Sequence, residues 1–287
     1  MSGFFEKINS IPNPSFILDE EMFIQNMETL AVLEKESGIH VLCALKGFSM
    51  WEVFPLMMDY LSGGTASSIN EARLIHDEMG KKAHSCFVVY SREEFNEVQE
   101  LSSHITFNSM SQFMRFRQFI REDVSYALRV NPEFSNVDFV QYNPCASGSR
   151  FGVTLDELPN IFPEEITGLH FHTLCESSAD NFKDVLEVIE SKFGDILYSM
   201  KWVNFGGGHH ITKKDYDVNL LCTLLKNIRD KYNIEVYIEP GEAIALNAGF
   251  LLAKVEDVVT NQNEKIAILN VSFAAHMPDC LEMPYKP

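Results

Sequence analysis

Short apolar runs alternate with amphipathic stretches between residues 41 and 240. Eight of these runs have the length and the residue types of strands buried in a parallel sheet. They are Val41–Lys46, Gly64–Ser67, His84–Val89, Ile105–Asn108, Ser125–Val130, Gly168–His172, Trp202–Phe205 and Val236–Glu239. Eight is the number of strands that closes a (β/α)8 barrel, so the pattern predicts an α/β fold with a TIM-like barrel.

The stretches between these runs carry helix signals. Apolar residues recur at helical spacing over Phe182–Phe193, and Gly194 follows as an expected helix end. The segments Ser91–Glu94 and Ser109–Gln112 have the form of capping boxes. We therefore expect helices to begin at these two segments and to pack their apolar faces on the barrel.

The pattern changes after Gly249. Two β runs, Phe250–Val255 and Ile266–Val271, follow each other without a long helix between them, which predicts a second, all-β domain. The remaining chain of about 40 residues holds too few strands to protect the edges of a sheet, so a Greek-key-like domain would be incomplete in this chain. We predict the barrel at 16–245 and a partial β domain formed by 1–15 plus 246–287.

The charge of the chain narrows the class of partner. The 287 residues include 41 Asp+Glu and 23 Lys+Arg, which gives a formal net charge of −18. Such a field repels nucleic acids and anionic membranes and attracts cations. We expect a cationic small-molecule substrate, and neither a nucleic-acid nor a membrane partner.

The termini and the cysteines indicate the compartment. The N-terminus lacks the basic and then apolar plan of a signal peptide, and no apolar run reaches the ~20 residues that cross a bilayer. The six cysteines include no C-x-x-C pair. These features predict a cytoplasmic protein with reduced thiols and without a disulfide framework or a zinc site.

Unusual polar residues stand at the C-terminal ends of four predicted strands. Lys46 ends the first strand, His172 ends the sixth, Gly206–Gly208 follow the seventh and Glu239–Gly241 end the eighth. Barrel enzymes place their active sites at this face, and the loops after the last two strands usually bind phosphate. Because glycine backbone can approach a phosphate closely, the sequence predicts a phosphate site there.

Lys46 and Glu239 each follow a buried run. An ammonium drawn into the barrel interior loses hydration, which lowers the pKa of a lysine and suits its amine to imine formation. An acid at the end of a buried strand could keep a pyridine nitrogen protonated. A solvated lysine at the barrel rim is the alternative for Lys46.

His170 and His172 alternate on one strand and therefore point to the same face. H-x-H on a barrel strand is also a metal-ligand pattern, so a barrel metallohydrolase is an alternative hypothesis. The other strand ends lack the further His and Asp that a hydrolytic metal site needs, which favours His172 stacked on a cofactor ring and no metal. The sequence leaves the roles of His209 and His210 open.

These motifs occur in an ordered set that resembles the fold-type III pyridoxal-phosphate (PLP) decarboxylases. The set is Ala-Leu-Lys, Gly-Leu-His-Phe-His, Asn-Phe-Gly-Gly-Gly-His-His and Glu-Pro-Gly-Glu. Further segments are similar to the carboxynorspermidine decarboxylases among them: Leu45–Trp51, Thr65–Ser68, Tyr142–Ala146, Leu169–Glu176 and Ala275–Asp279. The resemblance implies PLP-dependent decarboxylation of carboxynorspermidine and carboxyspermidine in polyamine biosynthesis, by a homodimer with shared active sites.

The resemblance also implies roles for individual residues. Lys46 would carry the PLP, His172 would stack on the pyridine ring, and Glu239 would contact the ring nitrogen. Gly206–Gly208 and Gly241 would bind the phosphate. Ser15–Leu18 would pair with the C-terminal strands.

Two acids are expected to bind the substrate. Ornithine and arginine decarboxylases of the same fold have Arg where Glu242 stands, and an acid there implies a substrate with additional amino groups. Asp279, in the Met-Pro-Asp segment of this family, is the second expected substrate acid. Solvated loop positions are the alternative for both residues.

The chain departs from the family pattern at two points. Family members continue beyond Pro287 with a segment that supplies an active-site Cys and Asp across the dimer interface and a Tyr near the phosphate. We therefore expect this chain to be nearly inactive by itself, and a non-catalytic PLP-binding or polyamine-sensing remnant is the alternative function. Asn270 also stands where the wider fold commonly has Asp.

Overall fold

The computed structural model describes Ile8, residues 10–137 and residues 142–282. The chain divides into two compact units. The larger runs from Ile24 to Leu246, and the smaller combines the described residues up to Phe23 with those from Asn247. The domain boundaries given above from the sequence stay a prediction.

Eight parallel strands close the larger unit into a barrel. In chain order the strands of the protein are β1 (Ser15–Leu18), β2 (His40–Ala44), β3 (Gly63–Ala66), β4 (Ala83–Cys86), β5 (Ser102–Phe107), β6 (Ser125–Val130), β7 (Ile166–Phe171), β8 (Trp202–Asn204), β9 (Glu235–Ile238), β10 (Gly249–Leu252), β11 (Val255–Asn261) and β12 (Glu264–Leu269). Strands β2 to β9 pair in chain order, and β9 returns to β2, where Val41 lies opposite Ile238. The eight predicted barrel strands are confirmed.

The helices begin and end close to the predicted signals, with two differences. They are Glu20–Ser37, Phe54–Met57, Ile69–Leu74, Phe95–Leu101, Met110–Phe116, Ala179–Leu197, Val218–Tyr232, Glu242–Ala245, Phe273–His276 and Asp279–Glu282. Ser109 caps its helix by accepting a hydrogen bond from the Gln112 N–H, as predicted. Ser91 and Glu94 also bond to each other, but they close a turn and the helix begins only at Phe95.

The predicted helix end at Gly194 is wrong. The helix Ala179–Leu197 continues past it, because Phe193 and Leu197 are both fully buried and one more turn is needed to bury the second. A Cβ at position 194 would lie 3.1 Å from the Tyr232 hydroxyl oxygen. The glycine therefore serves the close packing of two helices and not helix termination.

Inside the barrel, one tryptophan determines which residues its neighbours can be. A Cβ at Gly168 would lie 2.2 Å from the Trp202 indole, so the indole lies directly on the bare backbone of β7. Its Nε1–H donates to Ser125 Oγ at 2.8 Å, which satisfies a buried donor. Leu42 and Tyr237 pack in the same buried cluster. This layer closes the barrel below the strand ends that form the site.

The smaller unit contains two antiparallel pairs. β1 pairs with β10, with Ser15 opposite Leu252, which is the pairing implied for Ser15–Leu18. β11 and β12 form a hairpin in which Thr260 lies opposite Lys265. The sequence pattern missed most of β11, because the adjacent acids Glu256 and Asp257 interrupt its apolar positions.

Asn270 links two segments of the smaller unit. Its Oδ1 accepts a hydrogen bond from the Lys254 N–H at 2.8 Å, and its Nδ2 donates to Asn13 Oδ1 at 2.9 Å. A carboxylate could accept the first bond but could not donate the second. The amide at this position therefore has a structural explanation.

None of the helices in the described ranges is both long and apolar enough to cross a membrane. The longest, Ala179–Leu197, is amphipathic and buries one face against the barrel.

Candidate active site

A cavity of about 590 Å³ lies at the carboxyl ends of the barrel strands. The predicted site residues that line it are Lys46, His172, Gly207, Gly208, Glu239, Gly241 and Glu242. Gly206 does not line the cavity, and Asp279 lies in the smaller unit at the start of the helix Asp279–Glu282. The barrel therefore brings together side chains that are up to about two hundred residues apart in sequence.

Lys46 lies two residues beyond β2, and its Nζ is 3.5 Å from His172 Nε2. The side chain of Lys46 is exposed, so the predicted withdrawal of its ammonium from water is wrong. The reason is that the buried strand ends two residues earlier, at Ala44, and the cavity is open to solvent. Burial first, and the positive charge of Lys46 second, lower the pKa of His172 well below its usual value. The neutral imidazole avoids the charge–charge repulsion that a protonated ring would have with Lys46.

Glu239 is buried directly after β9. Asn204 Nδ2 donates to its Oε1 at 2.7 Å. Burial raises the pKa of this carboxyl, while hydrogen bonds from Thr65 and Asn204 and the charges of Lys46 and Arg129 oppose that rise. A buried carboxylate is costly unless a cation or a protonated nitrogen pairs with it. Glu239 is therefore suited to hold a proton on a heterocyclic nitrogen.

The metal alternative rests on His170 and His172, and the structure adds Glu239: ligand atoms of the three residues lie within 4.8 Å of one another. Burial lowers the pKa of His170 well below its usual value, so its 3.7 Å contact with Glu239 is not an ion pair. His170 Nε2 is buried without a hydrogen-bond partner in the described part of the chain. A dication bound there would repel the nearby Lys46 ammonium, so this donor set suits an organic cofactor better than a metal.

The glycine run lies unusually close to neighbouring backbone. Gly206 and Gly208 have φ of +70° and +88°, which disfavours any other residue. A Cβ at Gly207 would lie 2.3 Å from the Glu239 carbonyl oxygen, and one at Gly208 would lie 2.2 Å from that of Leu174. These positions therefore admit only glycine, and the backbone of Gly207 and Gly208 forms part of the cavity wall.

Two N–H groups of the run are already used within the protein. The Gly206 N–H donates to Asn204 Oδ1 at 2.8 Å, and the Gly207 N–H donates to His172 Nδ1 at 3.2 Å. The run therefore also orients the imidazole, because an accepting Nδ1 puts the proton of a neutral ring on Nε2. The expected phosphate contacts of these glycines stay a prediction.

Glu242 begins the short helix after Gly241 and reaches the cavity with its side chain 53% exposed. His210 Nε2 lies 2.8 Å from Glu242 Oε2. The carboxylate thus has one oxygen tied to the protein at the edge of the cavity. This places a negative charge where a cationic substrate can reach it.

The sequence patterns did not single out two residues of the site, Asn204 and Arg129. Asn204 supports both Glu239 and Gly206, and its position two residues before the glycine run is a usable signal. Arg129 lines the cavity with its guanidinium 4.4 Å from the centre of the Phe151 ring. Arg129 carried no signal, because nothing in a β6 sequence shows which way one charged side chain points.

The site as a whole fits PLP. The aldehyde of PLP binds a primary amine, and its protonated pyridine nitrogen pairs with an acid. Its ring stacks on another flat ring, and its phosphate binds backbone N–H groups. Lys46, Glu239, His172 and the glycine backbone would supply these four in one cavity. A TIM-like barrel with this set is the arrangement expected of a barrel-type PLP-dependent enzyme.

Comparison with known proteins identifies the family. The pattern of the family "Pyridoxal-dependent decarboxylase, pyridoxal binding domain" matches residues 25–246. The chain is 45% identical to the carboxynorspermidine/carboxyspermidine decarboxylase of Campylobacter jejuni, over 98% of this chain and 72% of that protein. It is 41% identical to the carboxyaminopropylagmatine decarboxylase of Synechocystis, over 98% of this chain and 73% of that protein. The chain belongs to the pyridoxal-dependent decarboxylases.

A solved structure agrees with this assignment. The crystal structure of carboxynorspermidine decarboxylase complexed with norspermidine from Campylobacter jejuni superposes with a TM-score of 0.90 and 44% identity, covering 96% of this chain and 72% of that chain. The expected enzyme class, PLP cofactor and TIM-like barrel are thereby confirmed.

Proposed function

We propose that this protein decarboxylates carboxynorspermidine and carboxyspermidine to the corresponding polyamines in polyamine biosynthesis. The observation that carries the proposal is the 45% identity, over 98% of the chain, to the Campylobacter jejuni enzyme of that name. The net charge of −18 supports it, because the substrate carries several ammonium groups.

Each group of the cavity has a role in this reaction. PLP, when bound, supplies the electron sink that a decarboxylation needs. Lys46 would present the amine that binds the cofactor aldehyde, His172 would lie against the ring, and Glu239 would hold a proton at the ring nitrogen. The backbone of Gly207, Gly208 and Gly241 would accommodate the phosphate, and Gly206, which does not line the cavity, would fix the start of the run.

Recognition of the substrate is assigned to acids. Glu242 lies at the cavity edge, and a carboxylate there binds an ammonium group by a charge-assisted hydrogen bond, worth ~1.5–3 kcal/mol. We also propose a substrate contact for Asp279, which rests on the sequence segment Met277–Asp279 alone.

A second substrate is supported by the Synechocystis relative, a carboxyaminopropylagmatine decarboxylase that is 41% identical. Such a substrate ends in a guanidinium in place of an ammonium. A carboxylate binds either cation, and a planar guanidinium can engage both of its oxygens. The two substrates therefore have to be compared directly.

The assembly and location belong to the same proposal. We propose a homodimer with shared active sites in the cytoplasm, and a barrel domain at 16–245 with a β domain formed by the two ends of the chain. The resemblance of the motifs to the family supports these assignments. Size measurement by light scattering tests the dimer.

The decisive experiment measures CO2 release from carboxynorspermidine, carboxyspermidine and carboxyaminopropylagmatine, together with norspermidine binding by calorimetry. We expect Glu242→Gln to lower kcat/KM on the preferred substrate by roughly ten- to a hundred-fold. Glu187→Gln, on an exposed helix face, is the matched control and should change nothing.

The outcomes separate the alternatives. Unchanged kcat/KM in both Glu242→Gln and Asp279→Asn would show that these acids are bystanders. Norspermidine binding without CO2 release from any of the three substrates would favour the non-catalytic polyamine-binding alternative. A protein that neither binds norspermidine nor releases CO2 from any of the three substrates would overturn the proposal. These kinetic outcomes are read on a version extended to the length of the Campylobacter jejuni relative, of which this chain spans 72%. The same assay on the 287-residue chain tests the expectation that it is nearly inactive by itself.

A further inference from the structure

The two histidines after the glycine run have different surroundings. The His209 ring packs against Phe182, with centroids 5.0 Å apart, and its Nδ1 lies 3.5 Å from the Tyr216 hydroxyl. The His210 ring instead lies against Glu242, with 2.8 Å between Nε2 and Oε2. Only the second histidine therefore contacts a residue of the cavity wall.

The backbone around His210 is anchored on two sides. The His210 N–H donates to the Ser177 carbonyl at 3.2 Å, and the Ser177 N–H donates to the Gly208 carbonyl at 2.8 Å. The Thr212 hydroxyl donates to the Ala243 carbonyl at 2.7 Å. These bonds tie the loop after β8 both to the segment after β7 and to the short helix that carries the neighbouring acid.

The imidazole and the carboxylate differ strongly in exposure. The side chain of His210 is 9% exposed and that of Glu242 is 53% exposed. His210 Nδ1 is buried without a hydrogen-bond partner among the described residues, so the polar contact of the ring is the one to Glu242. An exposed glutamate otherwise samples several rotamers, and ordering it when a ligand binds weakens affinity.

We propose that His210 is a positioning residue for substrate specificity: it holds the Glu242 carboxylate at the place in the cavity where an amino group of the polyamine binds. The proposal rests on the proposed function of Glu242 as a substrate acid. Since His210 contacts neither Lys46 nor Glu239, its loss should raise KM and weaken polyamine binding while kcat and PLP absorbance stay close to those of the wild type.

The test compares four variants in the PLP-loaded protein: His210→Leu, His210→Gln, Glu242→Gln and the double variant His210→Leu/Glu242→Gln. Norspermidine affinity is measured by calorimetry, and KM and kcat with carboxynorspermidine. We expect His210→Leu to weaken norspermidine affinity and to raise KM, each by about ten-fold, with kcat within about two-fold of the wild type. His210→Gln should recover most of the loss, because its amide can donate from nearly the same place.

The double variant measures the energetic coupling between His210 and Glu242. If His210 acts through Glu242, the leucine substitution adds nothing once the carboxylate is gone, so the double variant should match Glu242→Gln. His209→Leu is the matched control, since it removes an equally buried imidazole that does not contact Glu242. Thermal denaturation of all variants identifies any general loss of folding. In that case His210→Asn, a polar variant whose shorter amide does not reach Glu242, replaces the leucine variant in the cycle.

Three results distinguish the two proposals. If Glu242→Gln weakens norspermidine binding and His210→Leu does not, or if the two losses add, the positioning role is wrong and the proposed function stands. If carboxynorspermidine is not turned over but norspermidine binding shows the coupling, the proposed function is wrong and the positioning role stands. If Glu242→Gln leaves norspermidine binding unchanged, both assignments are wrong.

Discussion

The barrel interior contains two clusters of polar side chains, and they differ in what fills the space among their side chains. At the carboxyl ends of the strands, charged side chains surround an open cavity of about 590 Å³; they include Lys46, Arg129, Glu239 and Glu242. Toward the amino ends, rings in stacked and edge-to-face contact fill the interior: His40, His84, His104, Trp202 and Tyr237. The centroids of the His84 and His104 rings are only 3.9 Å apart.

Burial acts on the two clusters in different ways. In the ring cluster, burial lowers the pKa of His84 well below its usual value and that of His104 to about 4, so both imidazoles are neutral and serve as packing. In the cavity, burial raises the pKa of Glu239 while nearby cations oppose that rise. The comparison shows that a buried polar group marks a functional site where opposite charges surround unfilled space, and a structural one where rings occupy it.

The largest effect should come from removing the amine of the cavity. Lys46→Ala should lower decarboxylation by at least about a thousand-fold, because no other group in the cavity replaces a primary amine. Borohydride reduction of the PLP-loaded wild type, followed by peptide mapping, should place the pyridoxyl group on Lys46. Lys226→Ala, on an exposed helix face, is the control. Labelling of a different lysine would reject the assignment.

Removing the buried charge should separate activity from stability. Glu239→Gln should lower kcat by about a hundred-fold or more, because the amide cannot keep a proton on a ring nitrogen. Burial raises the pKa of Glu239, so the fold disfavours its ionised form at neutral pH, and Gln should leave the Tm of the PLP-free protein unchanged or raise it. The gain should shrink in acid, where Glu239 itself becomes protonated. A lower Tm at neutral pH would contradict this reasoning.

The smallest effect should come from the ring cluster, in acid stability. The folded-state pKa of His104 is about 4, below the usual 6.5, so only the unfolded chain takes up this proton as the pH falls from about 6.5 to 4. Stability is therefore lost over that range. The charges facing the ring are Glu235, which opposes the shift, and His40, which adds to it.

Replacing this histidine by an apolar ring tests the idea. His104→Phe should keep activity at pH 7 within about two-fold and should reduce the fall in Tm between pH 7 and pH 5 by roughly 5 °C. His76→Phe, which changes an exposed imidazole, is the control. An unchanged pH dependence of Tm would show that the cluster does not titrate as proposed.

Much of the barrel could be predicted from local patterns, and the errors have a physical cause. The strand Ser125–Val130 is predictable because its buried positions, Tyr126–Leu128 and Val130, are all apolar. The helix end at Gly194 was misplaced because a glycine signal says nothing about the Tyr232 hydroxyl that packs beside it. The exposure of Lys46 was also misjudged, because the depth of a cavity depends on loops that are distant in sequence.

The sequence by itself determined the order of strands, the residues at their carboxyl ends and, through ordered motifs, the chemistry that those residues support. Tertiary structure alone decided the pairings between them: Lys46 with His172, 126 residues away, and Asn204 with Glu239, 35 residues away. It also decided which of two adjacent histidines holds Glu242. The reason is that periodicity shows which face a residue occupies, whereas closure of the barrel determines what lies across from it.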